Sequence, residues 1–169
     1  MQKFFLLATC LFLLAVSCKK SSPTQATTPD GISATIDGAS VTFNTSVTAS
    51  ISETGGLHNL TVVGFRATEG NSDLLSVELN GDKAVGIGTY VWPLTATSTQ
   101  MPVLTYNQFA GSNVYVDDPA GAQPVTVTIT SLSATSVSGT FSGNLLLNSG
   151  SSTTTQKQIT DGKFTATIR

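Results

Sequence analysis

The sequence predicts one all-β domain: an antiparallel β-sandwich of about nine or ten strands, with a closed, lipocalin-like β-barrel as the alternative. Three observations lead there. Only 11% of the 169 residues are charged, while Val, Thr and Gly are abundant, a balance that favours strands over helices. From Ile32 onward, apolar and polar residues alternate with period two, and no later window has helical spacing. Turn-forming clusters recur every 8–12 residues or so, as in sandwiches and barrels.

The elements follow in order. Ile32, Ala34 and Ile36 alternate with polar residues and stop at Asp37-Gly38, a pair suited to a tight hairpin turn. Val41, Phe43, Thr45, Val47, Ala49 and Ile51 read as a single returning strand, broken by Glu53-Thr54-Gly55-Gly56. Leu57–Ala67 is apolar enough for a central strand, and Glu69–Asp73 reads as a turn. Leu75, Val77 and Leu79 mark the next strand, ended by Asn80-Gly81-Asp82; Val85–Val91 follows and is closed by Pro93. Val103–Phe109 and Asn113–Val116 form a hairpin around Gly111, and Asp117–Gly121 is a loop. Val125, Val127 and Ile129 alternate with three threonines. Ser136–Leu147 is the next strand, with Val137, Phe141, Leu145 and Leu147 on one face. Asn148–Thr155 is a loop, and Ile159 with Phe164–Ile168 completes the sheet. Asp161-Gly162 suits a turn with positive φ, and Gly139 a bulge or a close strand contact.

The chain divides into residues 1–17, 18–30 and 31–169. Lys3 precedes an apolar run, Phe4–Val16, that is short of the ~20 residues a membrane span requires. It has the length of a signal-peptide core. Ala15-Val16-Ser17-Cys18 resembles the lipobox of bacterial lipoproteins, with Ala in place of the usual first Leu. The resemblance implies a diacylglycerol on the Cys18 sulfur and cleavage before it. Membrane association through this anchor is therefore expected, each buried CH₂ contributing about 0.8 kcal/mol. Ser21–Asp30 has two prolines and no large apolar side chain, and reads as a tether spanning about 20 Å from Cys18.

Val125–Leu132, then Val137-Ser138-Gly139-Thr140-Phe141, then Ile159-Thr160-Asp161-Gly162-Lys163-Phe164 together resemble a group of small, uncharacterised Bacteroidota-type lipoproteins. Ile32–Phe43 and Gly88-Thr89-Tyr90 are similar to that group as well. The resemblance implies a lipidated β domain and brings no activity. Lys19-Lys20-Ser21-Ser22 lacks the acidic residues that follow the cysteine in surface-exposed members, so the resemblance implies an outer-membrane lipoprotein facing the periplasm.

From Gly31 onward five basic residues stand against nine acidic ones, without a basic stripe, which argues against nucleic acid as a partner. Both cysteines, Cys10 and Cys18, precede the domain, leaving it without a disulfide or thiolate ligand. No cofactor is expected. His58 is the only histidine, too few for a zinc set. The carboxylates Asp73, Glu78, Asp82, Asp117 and Asp118 could pair for glycoside hydrolysis, the enzymatic alternative to a non-catalytic module. Asp117 and Asp118, with Asp82 or Asn113, form a weak calcium candidate in an otherwise metal-free reading. Tyr90 and Trp92 share a strand face with Gly86 and Gly88, a small platform for a glycan or an envelope protein. Tyr106, Phe109 and Tyr115 would extend it; the alternative is that Trp92 seals one end of the core.

Overall fold

The computed structural model describes residues 29–68, 71–93, 100–118, 123–148 and 156–169. The signal segment, Cys18 and the tether up to residue 28 lie outside the described residues, as do Glu69-Gly70 and parts of the 117–121 and 148–155 loops. Eleven strands are described, more than the expected nine or ten. They are β1 (Gly31–Ile36), β2 (Ala39–Phe43), β3 (Thr45–Thr54), β4 (Leu57–Thr68), β5 (Asn71–Gly81), β6 (Gly88–Trp92), β7 (Gln100–Gln108), β8 (Asn113–Asp117), β9 (Val125–Leu132), β10 (Ser136–Leu147) and β11 (Gln156–Thr167). All ladders between them are antiparallel.

They form one sheet in the order β2-β1-β11-β10-β8-β7-β5-β4-β3, curled until it is nearly closed and barrel-like. Of the two all-β alternatives, the continuous ladder takes the molecule towards the barrel. β10 is the branch point: its first half pairs with β9, which carries β6, and its last residues pair with β8. Closure depends on a feature that periodicity hides. Val41–Ile51 is two strands, because the chain leaves β2 at Asn44 and re-enters the sheet beside β4 as β3. Ser46 at φ 50° and a register shift between Thr45 and Thr48 mark the crossing, and Thr45 points to solvent. A parallel bridge from Ala49 to Ile168, and the Arg169 N–H donating to the Ala49 carbonyl at 2.9 Å, tie β3 to the end of β11.

Local chemistry sets the turns. Asp37 and Gly38 both have positive φ (50° and 81°), the conformation of a type I′ hairpin turn between β1 and β2. The β7–β8 hairpin turns through a short 3₁₀ segment, Phe109–Gly111, with Ser112 left-handed. Three expected boundaries move. β5 begins at Asn71, so Ser72 and Asp73 belong to a strand because they pair with Ala67 and Arg66 across the hairpin. β6 starts at Gly88 rather than Val85. The two closing segments are one strand, β11.

Asp161-Gly162 is therefore a bulge within β11 and not a turn. Asp161 does take positive φ, 52°, but the chain continues in the same direction. Phe141 pairs with Gly162 and Gly143 with Ile159, so β11 spends one extra residue there. The bulge lets Ile159 and Gly162, three positions apart, both face inward.

The core is aliphatic and aromatic, built from the inward positions of every strand except β6. Its tightest packing is between β10 and β11. Gly139 faces Phe164 and Phe141 faces Gly162, so each ring covers the glycine opposite. A β-carbon at Gly139 would overlap the Thr128 carbonyl oxygen and the Phe164 ring; one at Gly162 would overlap the Phe141 carbonyl and ring. This is aromatic cover of glycine in a sheet, and it is the close contact expected at Gly139.

Candidate functional site

Tyr90 and Trp92 sit on β6, half-buried and packed against the core, while Thr89, just before them, is exposed. The Tyr90 hydroxyl donates to the Gly86 carbonyl at 2.8 Å and accepts from the Gly86 N–H at 3.1 Å, fixing the loop before β6. These rings cover one side of the core and keep part of their surface in water. Tyr106 and Tyr115 are elsewhere: 4% and 3% exposed, they stack inside the barrel with centroids 5.9 Å apart. They add no ring surface to Tyr90 and Trp92. Phe109, on the 3₁₀ turn, is exposed.

The two buried tyrosines belong to a polar interior network. Asp73, 2% exposed, faces Arg66 across the β4–β5 ladder and is ion-paired to it. The Tyr106 hydroxyl donates to the same Asp73 oxygen at 3.2 Å. Burial, with the Asp73 charge and hydrogen bond, pushes the Tyr106 phenol up to about 12, against a smaller opposing effect of Arg66. Phe43 meets Tyr106 edge-on, and the Lys157 ammonium lies 5.5 Å from the centre of the Tyr115 ring. Lys157 also pairs with Asp37 at 2.6 Å. Burial alone would raise the Asp37 carboxyl, but Lys157 and the Gln158 N–H hold it below the usual carboxylate range.

Asp117, Glu78 and Asp118 are held by structural contacts. Asp117 accepts from the Leu104 N–H at 2.8 Å; burial, helped by the Glu78 charge, outweighs that bond and raises its carboxyl. Glu78 accepts from the Ser76 hydroxyl at 2.7 Å. Asp118, 3% exposed, accepts from the Gln156 amide at 3.3 Å, while Asn113 lies at the other end of β8 and Asp82 is exposed after β5. Among the described residues no group of three or more His, Cys, Asp or Glu side chains could hold a metal ion. His58 lies 3.6 Å from Glu53, its cross-strand neighbour.

The outer wall of β9, β10, β11, β1 and β2 is a different surface. Register brings Thr89, Thr128, Thr140, Lys163, Ser33 and Thr42 into one row across six strands. Each points outward because its strand neighbours are inward core residues or the half-buried β6 rings. Thr126 and Ser142, and Ser138 and Thr165, pair beside this row. Two shallow grooves open on the wall. One, of about 380 Å³, runs past Pro29, Asp30, Ser33, Thr42 and Asn44; the other, of about 290 Å³, past Thr126, Thr140, Ser142 and Asp161. Lys163 lines both. Among the described residues neither Asp161 nor Lys163 has an ion-pair partner.

No known family, curated protein or solved structure matches the chain. The hydroxyl row had a sequence signal in Val125–Thr130, whose apolar residues fix the inward face and so turn the threonines out. The alignment of that strand with Thr140, Lys163 and Ser33 follows from register alone.

Proposed function

We propose that this is a lipid-anchored cell-envelope protein, an outer-membrane lipoprotein facing the periplasm, acting as a non-catalytic binding or structural module. The observation that carries the reading is the order of features at the amino terminus. A charged start, a short apolar run and Ala15-Val16-Ser17-Cys18 are followed by a polar tether that ends where β1 begins. An acylated Cys18 would hold the barrel near the bilayer, within the reach of about 20 Å set by the tether.

The non-catalytic half of the reading draws on how the carboxylates are used. A glycosidase needs two of them facing one cleft, one kept protonated. Asp73 lies in the interior against Arg66 and Tyr106, and Asp37 is bonded to Lys157. The neighbours Glu78 and Asp117 are engaged by Ser76 and the Leu104 N–H.

Mass spectrometry of the native protein tests the anchor. Its first residue should be Cys18 bearing a diacylglycerol, and Cys18→Ser should move the protein out of the membrane fraction. An unmodified residue 18 overturns the reading.

A further inference from the structure

The two rims of the barrel differ in chemistry. At the rim where β1 and β4 end and β5 and β11 begin stand the ion pairs Asp37–Lys157 and Arg66–Asp73. At the opposite rim β1 and β4 begin, and β3, β5 and β11 end. The tether reaches the domain at this second rim: Asp30, just before β1, accepts from the Thr167 hydroxyl at the end of β11, at 3.2 Å. The β3–β4 hairpin runs past that point. The end of β11 meets Ala49 through the Ile168 bridge, and β3 continues from Ser50 to Thr54, every residue exposed. At about 3.3 Å per residue, this arm projects roughly 16 Å beyond the bridge. Among the described residues four large apolar side chains are exposed, and three belong to this rim. Ile51 (45%) and Leu57 (63%) are on the arm. Ile87 (69%) precedes Gly88, which register places level with Ile129, Gly139, Phe164 and Ile32, near the start of β1. The fourth, Phe109, is on the β7–β8 turn at the ion-paired rim.

We propose that this rim rests on the bilayer, with Leu57, Ile51 and Ile87 seated among the lipid headgroups. The inference rests on the acylated Cys18 of the proposed function and adds the face of the domain that meets lipid. The tether selects the occupant. It joins the domain at this rim, so a bilayer holding Cys18 is within about 20 Å of these side chains at all times, and any other partner would compete with it from solution. Phe109 and the ion-paired rim stand roughly 30 Å farther away, the rise of the 11 residues of β5 after strand tilt. The arm itself also favours lipid. Ile51 pairs with the inward-facing Leu60, whereas Leu57, three positions from Leu60, leaves the opposite face. A protein docked on one face would leave the other in water, but an arm dipped into headgroups has both covered. The exposed charges nearby, Glu53, Asp82 and Lys83, stay in the hydrated headgroup layer, because contacts of this kind reach only about 5–10 Å deep.

The domain has no cysteine of its own, which makes the test direct. With Cys10 removed and Cys18 acylated, a cysteine introduced by Leu57→Cys, Ile87→Cys or Phe109→Cys is the only free thiol, and takes a polarity-sensitive dye. The mature lipoprotein is reconstituted into vesicles of phosphatidylethanolamine and phosphatidylglycerol, where flotation reports the anchor and the dye reports the rim. The dye at residues 57 and 87 should shift to shorter emission wavelength and be quenched by nitroxide-labelled lipid; at residue 109 it should do neither. Leu57→Asp, combined with the dye at residue 87, should return that emission towards its value in water and leave flotation unchanged, with circular dichroism verifying that each variant is folded. Vesicle-bound protein whose dyes at 57 and 87 are as wet as the one at 109 overturns the orientation and leaves the anchor standing. Protein that does not float overturns the anchor, and the orientation with it.

Discussion

Between β10 and β11 each phenyl ring lies over a glycine of the facing strand, whereas between β4 and β5 the facing inward pair is Arg66 and Asp73. Both arrangements fill the same barrel, and they fail in different ways. The glycine–phenylalanine contacts are specified by shape: Gly139, Phe141, Gly162 and Phe164 carry no polar side-chain atom, and the tolerance for added volume is close to nil. The arginine–aspartate side is specified by charge: Asp73 is inside only because Arg66 and Tyr106 satisfy it, and each partner's removal exposes the cost of burying the other. The comparison teaches that steric and electrostatic constraints can be kept on separate strands of one small sheet.

The largest effect is expected on the shape side. Gly162→Ala forces a methyl group into the Phe141 carbonyl and ring, and should cost about 3 kcal/mol in urea unfolding. A loss below about 0.5 kcal/mol would show that the two rings yield easily and would erase the contrast. On the charge side, Arg66→Ala leaves the Asp73 carboxylate buried with only the Tyr106 hydroxyl, at a cost of about 3 kcal/mol. The double variant Arg66→Leu with Asp73→Leu should recover most of that loss, because paired charges and apolar residues of similar size are close in energy. No such rescue is available to Gly162→Ala, and that asymmetry sharpens the comparison.

A smaller effect follows the phenol. The Tyr106 value is raised to about 12 from about 10, so the folded state prefers the neutral ring. Its contribution is fully present below pH 10 or so and is lost as the pH rises towards about 12. Stability should thus fall across that window, and Tyr106→Phe should flatten the fall while costing about 1 kcal/mol at neutral pH for the lost hydrogen bond. Ultraviolet difference titration of the wild type against Tyr106→Phe should show the missing phenol ionising at about pH 12; a difference centred near pH 10 would contradict the interior hydrogen bond.

Much of this fold is legible in the chain. The Asp37-Gly38 hairpin, the alternation at Val125–Thr130 and the β7–β8 hairpin are local facts, written in turn dipeptides and period-two pattern. What is not local is harder to read. Asp161-Gly162 carries the same dipeptide and the same positive φ as a hairpin turn, and only the strands on both sides of β11 make it a bulge. Asp73 closes a polar run, so it reads as turn, until Arg66 faces it across the ladder. Tyr106 and Tyr115 are large and amphipathic, so their composition fits a surface platform as well as an interior stack; their inward register decides. Closure through Asn44 is invisible to periodicity, because the alternation of Val41 and Phe43 resumes in phase at Val47.

The ladder between β1 and β11 joins Gly31 to Thr165, the opening of the barrel to its far end. A growing chain therefore cannot complete its wall from the front: the second neighbour of β1 is the last strand to arrive. Non-local pairing of this kind makes folding slow relative to hairpin formation, so early hairpins wait, half-covered, for their final edge. The two strands that must meet lie at opposite ends of the domain, so the wall closes only once every strand between them has been made.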